Sequence, residues 1–207
     1  MIMKINLNQR LSTGQEIAIE IGCGGKRRDV SFITIDRVDL DNVDIVADVE
    51  QGLGFLPDGC VDRVVCRSVL EHIDNFEGLL REMLRVLKPD GRAEIFVPHF
   101  SNPYYYSDYT HKRFFGLYTF YYFVEPEMQL RRKVPVFYTD LRLEICSLKL
   151  VFRTPFWISR QLRKWFGVLV NSSRWMQEFY ELHLFNIVPC DGIEVVFKKA
   201  TCKEHKQ

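Results

Sequence analysis

The chain has 207 residues, 47% of them apolar and 14% aromatic, so it can bury a substantial core and disorder is not the default reading. Its 28 lysines and arginines stand against 27 acids, a net charge of +1 that offers no global attraction to nucleic acid or an anionic membrane. No apolar run approaches the ~18 residues of a membrane span, Met1–Leu11 lacks the apolar centre of a signal peptide, and the six cysteines include no Cys-x-x-Cys pair. The expectation is one domain over residues 1–207, without a metal site or a disulfide framework, in a reducing cytoplasm.

Met1–Gly14 is short and mixed, enough for a strand or a turn of helix. Ile17, Ala18, Ile19 and Ile21, interrupted only by Glu20, form the apolar run of a strand buried on both faces. Gly22, Gly24 and Gly25 break that run and allow close backbone approach to a ligand. Ser31–Ile35 is a second strand, closed by Asp36. A buried strand, a glycine turn and an acid ending the next strand make a nucleotide-binding arrangement, in which backbone N–H groups face the ligand and the acid grips ribose hydroxyls. A dinucleotide fingerprint would place a small residue where Arg27 stands, and its acid about 20 residues beyond the glycines; Asp36 comes much sooner. Residues 25–30 are too few for a long first helix, since at about 1.5 Å per residue they make under two turns.

Val43–Asp48 is a third apolar run ending in an acid, and Gly52, Gly54, Pro57, Asp58 and Gly59 supply turn chemistry before a fourth strand, Val61–Cys66. Asp74–Leu87 reads as a helix, capped by Asp74 with Glu77, with Phe76, Leu79, Leu80, Met83, Leu84 and Leu87 on one face. Lys88-Pro89-Asp90-Gly91 stops it, and Ala93–Val97 is a fifth strand. Strands alternating with helical or turn segments indicate a parallel sheet. From Phe100 to Phe123 half the residues are aromatic. Leu141–Phe152 is a sixth strand, Phe156–Val170 an amphipathic basic segment, Gly192–Lys199 the last strand and Ala200–Gln207 a polar tail.

Glu20-x-Gly22-x-Gly24 resembles the first motif of the class I S-adenosylmethionine-dependent methyltransferases. Asp48-Val49 stands where that family places an acid accepting from the adenine amino group. Val61–His72, ending Val-Leu-Glu-His, is similar to the family's fourth-strand signature, and Leu84–Gly91 to its helix-to-strand turn; together these cover Glu16 to Pro98 in order. The resemblance implies S-adenosyl-L-methionine as cofactor, with Glu20, Gly22, Cys23, Gly24, Asp36, Asp48, Val49, Cys66, Arg67 and His72 around it. It also implies a Rossmann-like α/β fold with a seven-stranded, mostly parallel sheet in the order 3-2-1-4-5-7-6, the last strand antiparallel, and inserts at 100–140 and 153–191. Asp108–Phe115 resembles an Asp-Pro-Thr-His-x-Arg-Phe-Phe element of a compact prokaryotic branch, many of whose genes lie near those for cell-surface polysaccharides. Tyr109 replaces the proline, and Ser68 stands where many relatives carry histidine; both departures bear on loop geometry and substrate identity.

Methyl transfer from a sulfonium is an in-line displacement, so such an enzyme mainly aligns a nucleophile and excludes water. For a hydroxyl acceptor a general base helps, and histidine suits that task near neutral pH. His99, at the carboxyl end of the fifth strand, and His111, in the aromatic stretch, are the candidates; the alternative for each is a ring that bonds a carbonyl and positions a lid. His72 is expected to orient the loop before the helix. The aromatic stretch is expected to form that lid, chiefly by core packing, and Lys112 and Arg113 either receive an anionic substrate group or stay solvated. Phe156–Val170 is expected to pack on the domain or on a second copy in a homodimer, with peripheral membrane contact as the alternative. The expected function is O-methylation of a small molecule or glycan. A cofactor-binding scaffold that kept the fold and lost turnover is the reading from another class.

Overall fold

The apolar runs become the centre of one eight-stranded sheet in a computed structural model that describes residues 1–200. The elements are β1 (Ile2–Met3), α1 (Leu7–Leu11), β2 (Ala18–Ile21), β3 (Ile33–Asp36), β4 (Ile45–Val46), β5 (Val61–Arg67), α2 (Phe76–Val86), β6 (Leu87–Pro98), β7 (Leu143–Val151), α3 (Trp157–Val170), α4 (Arg174–His183) and β8 (Gly192–Lys199). The sheet order is β1-β4-β3-β2-β5-β6-β8-β7. Pairings from β4 through β6 are parallel, while β8 runs antiparallel to both β6 and β7. Counted from β2, seven strands therefore keep the expected order and the expected antiparallel last strand. The count of seven is corrected to eight. Ile2 and Met3 pair antiparallel with Val46 and Ile45, and the Lys4 N–H donates to the Asp44 carbonyl, which covers an edge that β4 would otherwise leave open. The polar tail expected from Ala200 onward lies, beyond Ala200 itself, outside the described residues.

Every residue of β2 is buried, as a central parallel strand requires. From β2 the chain builds outward to β3 and β4 on one side, then crosses to β5 and β6 on the other. That reversal opens a crevice at the carboxyl ends of β2 and β5, where open α/β sheets bind their ligands.

Helix α2 presents Phe76, Leu79, Leu80, Met83 and Leu84 to the core, each worth about 1.5–3 kcal/mol when fully buried. Its cap differs from the expected one. Asn75, not Asp74, accepts from the Gly78 N–H, one residue later than the capping-box spacing placed it. Lys88–Gly91 does more than stop the helix: pairing passes from Val61–Leu87 to Arg63–Arg92, so these residues bulge out of β6, where a proline lacking an N–H costs no ladder bond. Between β2 and β3 there is no helix, in keeping with the short spacing.

The aromatic stretch divides. Phe115, Phe120 and Phe123 are buried with their rings edge-on to Phe76 at 5.4, 6.1 and 5.8 Å, whereas Tyr104, Tyr106, Tyr109 and Phe114 are exposed. The 156–170 segment packs on its own domain through one end of a narrow face. Trp157, Ile158, Leu162 and Trp165 of α3 are all at least 70% exposed, and it is Val170 and part of Phe166 that turn inward. Among the described residues no helix is long and apolar enough to cross a membrane.

Candidate active site

At the carboxyl ends of β2 and β5 lies a cleft of about 220 Å³, bordered by Gly22, Gly24, Asp36, Asp48, Val49, Ser68, Val69, His72 and Thr110, among others. This is below the ~300 Å³ at which enclosed ligand pockets begin, so an occupant would stay partly open to solvent. Gly22 has φ of +71°, and a Cβ there would stand 2.1 Å from Val69 Cγ2; only glycine lets β2 and the 68–69 turn close on each other. Gly24, at φ +56°, has nothing within 4 Å of its Cβ position, so the space over that face of the loop is open.

Side chains hold this loop in place of the missing helix. The Gly24 N–H donates to Asp36 Oδ2 at 2.9 Å and the Val38 N–H to Oδ1 at 3.0 Å. Each oxygen accepts one backbone bond and keeps a lone pair for a further donor, so Asp36 can both fix the loop and receive hydroxyl groups. Glu20 is 4% exposed; it accepts from the Arg28 N–H at 2.9 Å and meets the Arg28 guanidinium, bracing the loop from behind. Arg27 reaches Asp44 at 2.8 Å, and Asn42 donates to the Gly24 carbonyl at 2.8 Å. The Cys23 thiol is buried under the loop; burial first, then the Asp36 and Glu20 charges, push its pKa up. Glu20 and Cys23 thus support the cleft without lining it.

Asp48 is exposed and caps the short turn Val49–Gln51, accepting from the Glu50 N–H through Oδ1 and leaving Oδ2 for another donor. Val49 and His72 border the cleft. Cys66 and Arg67 do not. The Cys66 side chain is fully buried in the sheet, and Arg67 lies over the Phe96 ring and reaches Glu194 at 3.4 Å. Their place is taken by Ser68 and Val69. Ser68 holds φ of +54°, a non-glycine residue in the left-handed region, while its N–H donates to the Phe96 carbonyl.

The structure corrects the reading of His99 as a base. Its ring is 0% exposed, with Nδ1 at 2.8 Å from Ser101 Oγ and Nε2 at 2.8 Å from Glu181 Oε2, and Glu181 Oε1 accepts from the Leu117 N–H. Both nitrogens are engaged and none faces the cleft. His99 ties the end of β6 to α4. Lys112 and Arg113 are likewise taken up: Lys112 pairs with Asp74, and Arg113 donates to the Ile73 and Asp74 carbonyls and lies over Phe76. Of the expected lid, Thr110 alone borders the cleft.

His111 sits behind the cleft wall, its ring 4.8 Å from that of His72. Beside them is Glu71, 1% exposed, whose Oε2 is the one buried side-chain oxygen or nitrogen without a hydrogen-bond partner among the described residues. Burial pushes its carboxyl up to about 7. Sequence reading passed over Glu71, although its place beside His72 in the Val-Leu-Glu-His string was the available signal. It also passed over Thr110 and Glu178, which takes the Arg132 N–H and the Tyr118 hydroxyl across long sequence distances.

Residues 19–95 match the family model described as a methyltransferase domain. No curated protein sequence matches the chain. Among solved structures, a putative methyltransferase from Bacillus halodurans is similar at 16% identity, with 94% of this chain and 97% of that chain covered and a TM-score of 0.56. A SAM-dependent methyltransferase from Archaeoglobus fulgidus is similar at 18% identity, with 93% and 90% covered and a TM-score of 0.52. Coclaurine N-methyltransferase, solved with N-methylheliamine and SAH, is similar at 12% identity, with 93% and 68% covered and a TM-score of 0.52. At these identities the structures share the fold, and the glycine loop with its two acids lies inside the matched residues. Residues 19–95 are thus similar to a methyltransferase domain, and over nearly its whole length the chain shares the fold of these structures.

Proposed function

We propose that the cleft holds S-adenosyl-L-methionine and that the methyl group passes to a hydroxyl oxygen of a small molecule or glycan. The observation that supports this most is the meeting, in one cleft, of a sterically open glycine turn, two carboxylates with spare lone pairs and an imidazole. The bound cofactor supplies an electrophilic methyl group on a sulfonium. Asp36 accepts the ribose hydroxyls, Asp48 the adenine amino group, and the loop from Gly22 to Gly24 lets the methionine portion approach the main chain. Glu20, Arg27 and Asn42 keep that loop from moving, which is the alignment an in-line displacement needs. A hydroxyl must give up its proton to attack, and His72, backed by Glu71 and His111, is the part of the wall able to polarise or receive it. Cys23, Cys60, Cys66, Cys146 and Cys190 are free thiols, which suits work in a reducing cytoplasm. The bare face of α3, with Arg160 and Lys164 beside its tryptophans, suits either a second copy or a membrane surface.

The test is product analysis. Incubation with the cofactor and a panel of glycans, hydroxylated small molecules and amines should release S-adenosylhomocysteine and give an O-methyl product. Turnover restricted to amines would contradict the hydroxyl assignment and leave the cofactor cleft intact.

A further inference from the structure

We infer that Glu71, His72 and His111 form a binding site for one divalent transition-metal cation on the wall of the cofactor cleft. One nitrogen of each imidazole and one Glu71 oxygen lie within 4.8 Å of one another. A metal at about 2.1 Å from each donor would draw them together by a further ångström or so.

The hydrogen bonds around the cluster make Nδ1 of each ring a donor. His111 Nδ1 is 2.9 Å from the Tyr105 carbonyl, which can only accept, so that nitrogen carries the proton. Thr110 Oγ1 donates to Asp108 Oδ1 at 2.6 Å and therefore accepts from His72 Nδ1, 2.9 Å away. Both rings thus donate Nδ1–H to a neighbouring oxygen, which leaves Nε2 as the nitrogen able to offer a lone pair. That is how histidine is oriented when it ligates a metal, the outer bond fixing the tautomer and raising the basicity of the other nitrogen. Glu71 supplies what the rings lack, a buried carboxylate oxygen with no partner of its own. Asp108 adds a further negative charge, its Oδ2 lying 3.5 Å from His111 Nε2. Among the described residues no lysine or arginine pairs with Glu71 or Asp108. Lys112 gives its backbone N–H to the Glu71 carbonyl and sends its ammonium to Asp74 and Glu50. Two imidazoles and the Glu71 carboxyl therefore meet, with Asp108 beside His111 and no cationic side chain between them, an arrangement that a cation stabilises.

Two imidazoles and a carboxylate suit zinc, manganese, iron or cobalt better than magnesium or calcium, which prefer oxygen alone. Three protein ligands leave coordination positions open. His72 and Thr110 face the cleft, so an open position on that side would meet an acceptor hydroxyl or its anionic neighbour. The binding site stands without the methyl-transfer reading; the role of holding the acceptor rests on it.

The test uses the full chain stripped with EDTA, in wild-type, Glu71→Gln, His111→Ala and Cys146→Ser forms, titrated with Zn²⁺ by calorimetry and with Mn²⁺ by electron paramagnetic resonance. The expected result is one equivalent bound to wild type and to Cys146→Ser, with affinity reduced at least 10-fold in the other two. S-adenosylhomocysteine binding, measured on every variant, reports that the cleft is folded. No binding to wild type, or equal binding by all four proteins, overturns the inference. Nucleoside binding without metal defeats this inference alone, and metal binding without nucleoside defeats the functional reading alone.

Discussion

Two buried assemblies in this molecule are built from the same side chains and end in opposite states. At the end of β6, His99 and Glu181 use both ring nitrogens and both carboxylate oxygens, on Ser101, on each other and on the Leu117 N–H. Behind the cleft, Glu71 lies against His72 and His111 with an oxygen bonded to nothing. Buried polar groups are costly unless paired, so the first assembly reads as a fastening of the fold and the second as a place kept for something from outside. A histidine near a ligand crevice is thus not enough to mark chemistry; what the carboxylate beside it has left to bond is the better guide.

Breaking the closed assembly should give the largest effect. Glu181→Ala strips acceptors from a fully buried ring and from a buried backbone N–H, and should cost about 3–5 kcal/mol in urea unfolding. Glu181→Gln keeps an acceptor for Leu117 and should cost less. If Glu181→Ala unfolds like wild type, the fastening role is wrong.

The open assembly should show itself through pH. In metal-free protein the Glu71 carboxyl holds its proton up to about 7, against a reference of 4.5. The folded form then binds more protons than the unfolded chain between those values, so stability is fully present below ~4.5 and falls as pH rises through 7, by about 3 kcal/mol in all. Glu71→Gln, which cannot ionise, should flatten that slope. An unchanged slope would remove the uncompensated carboxylate from the account.

A smaller effect sharpens the same contrast on the backbone of the glycine loop. Gly22→Ala drives a methyl into Val69 at a positive φ and should cost about 1–3 kcal/mol in thermal or urea unfolding. Gly24→Ala meets open space and should cost less, the strain of its positive φ alone, while hindering a ligand.

The two halves of the molecule also differ in how far the sequence discloses them. Gly22, Gly24 and Asp36 are legible because loop, strand and acid lie within one short run, and the strand order is implied by the family resemblance that the run carries. The grip of α4 is not. Glu181 meets His99 across 82 residues, and no local pattern announces such a pairing. Segment 153–191 was therefore readable as an insert but not as the helix that supplies those carboxylates. The cap of α2 moved from Asp74 to Asn75 for a related reason, two capping residues standing side by side with a single spacing to separate them. His99 drew notice by its place at a strand end, and Glu71 escaped it because burial without a partner is visible only in three dimensions.

The central claim is that the crevice framed by Gly22, Gly24, Asp36 and Asp48 receives the nucleoside of the cofactor. Calorimetric titration of S-adenosylhomocysteine into wild type and Asp36→Asn tests it most directly, since asparagine keeps the size and one acceptor oxygen for the loop. Single-site binding, weakened about 10- to 150-fold by the substitution, is the predicted result, the range of a lost charged hydrogen bond. No binding to wild type, or equal affinity in the two proteins, would contradict it.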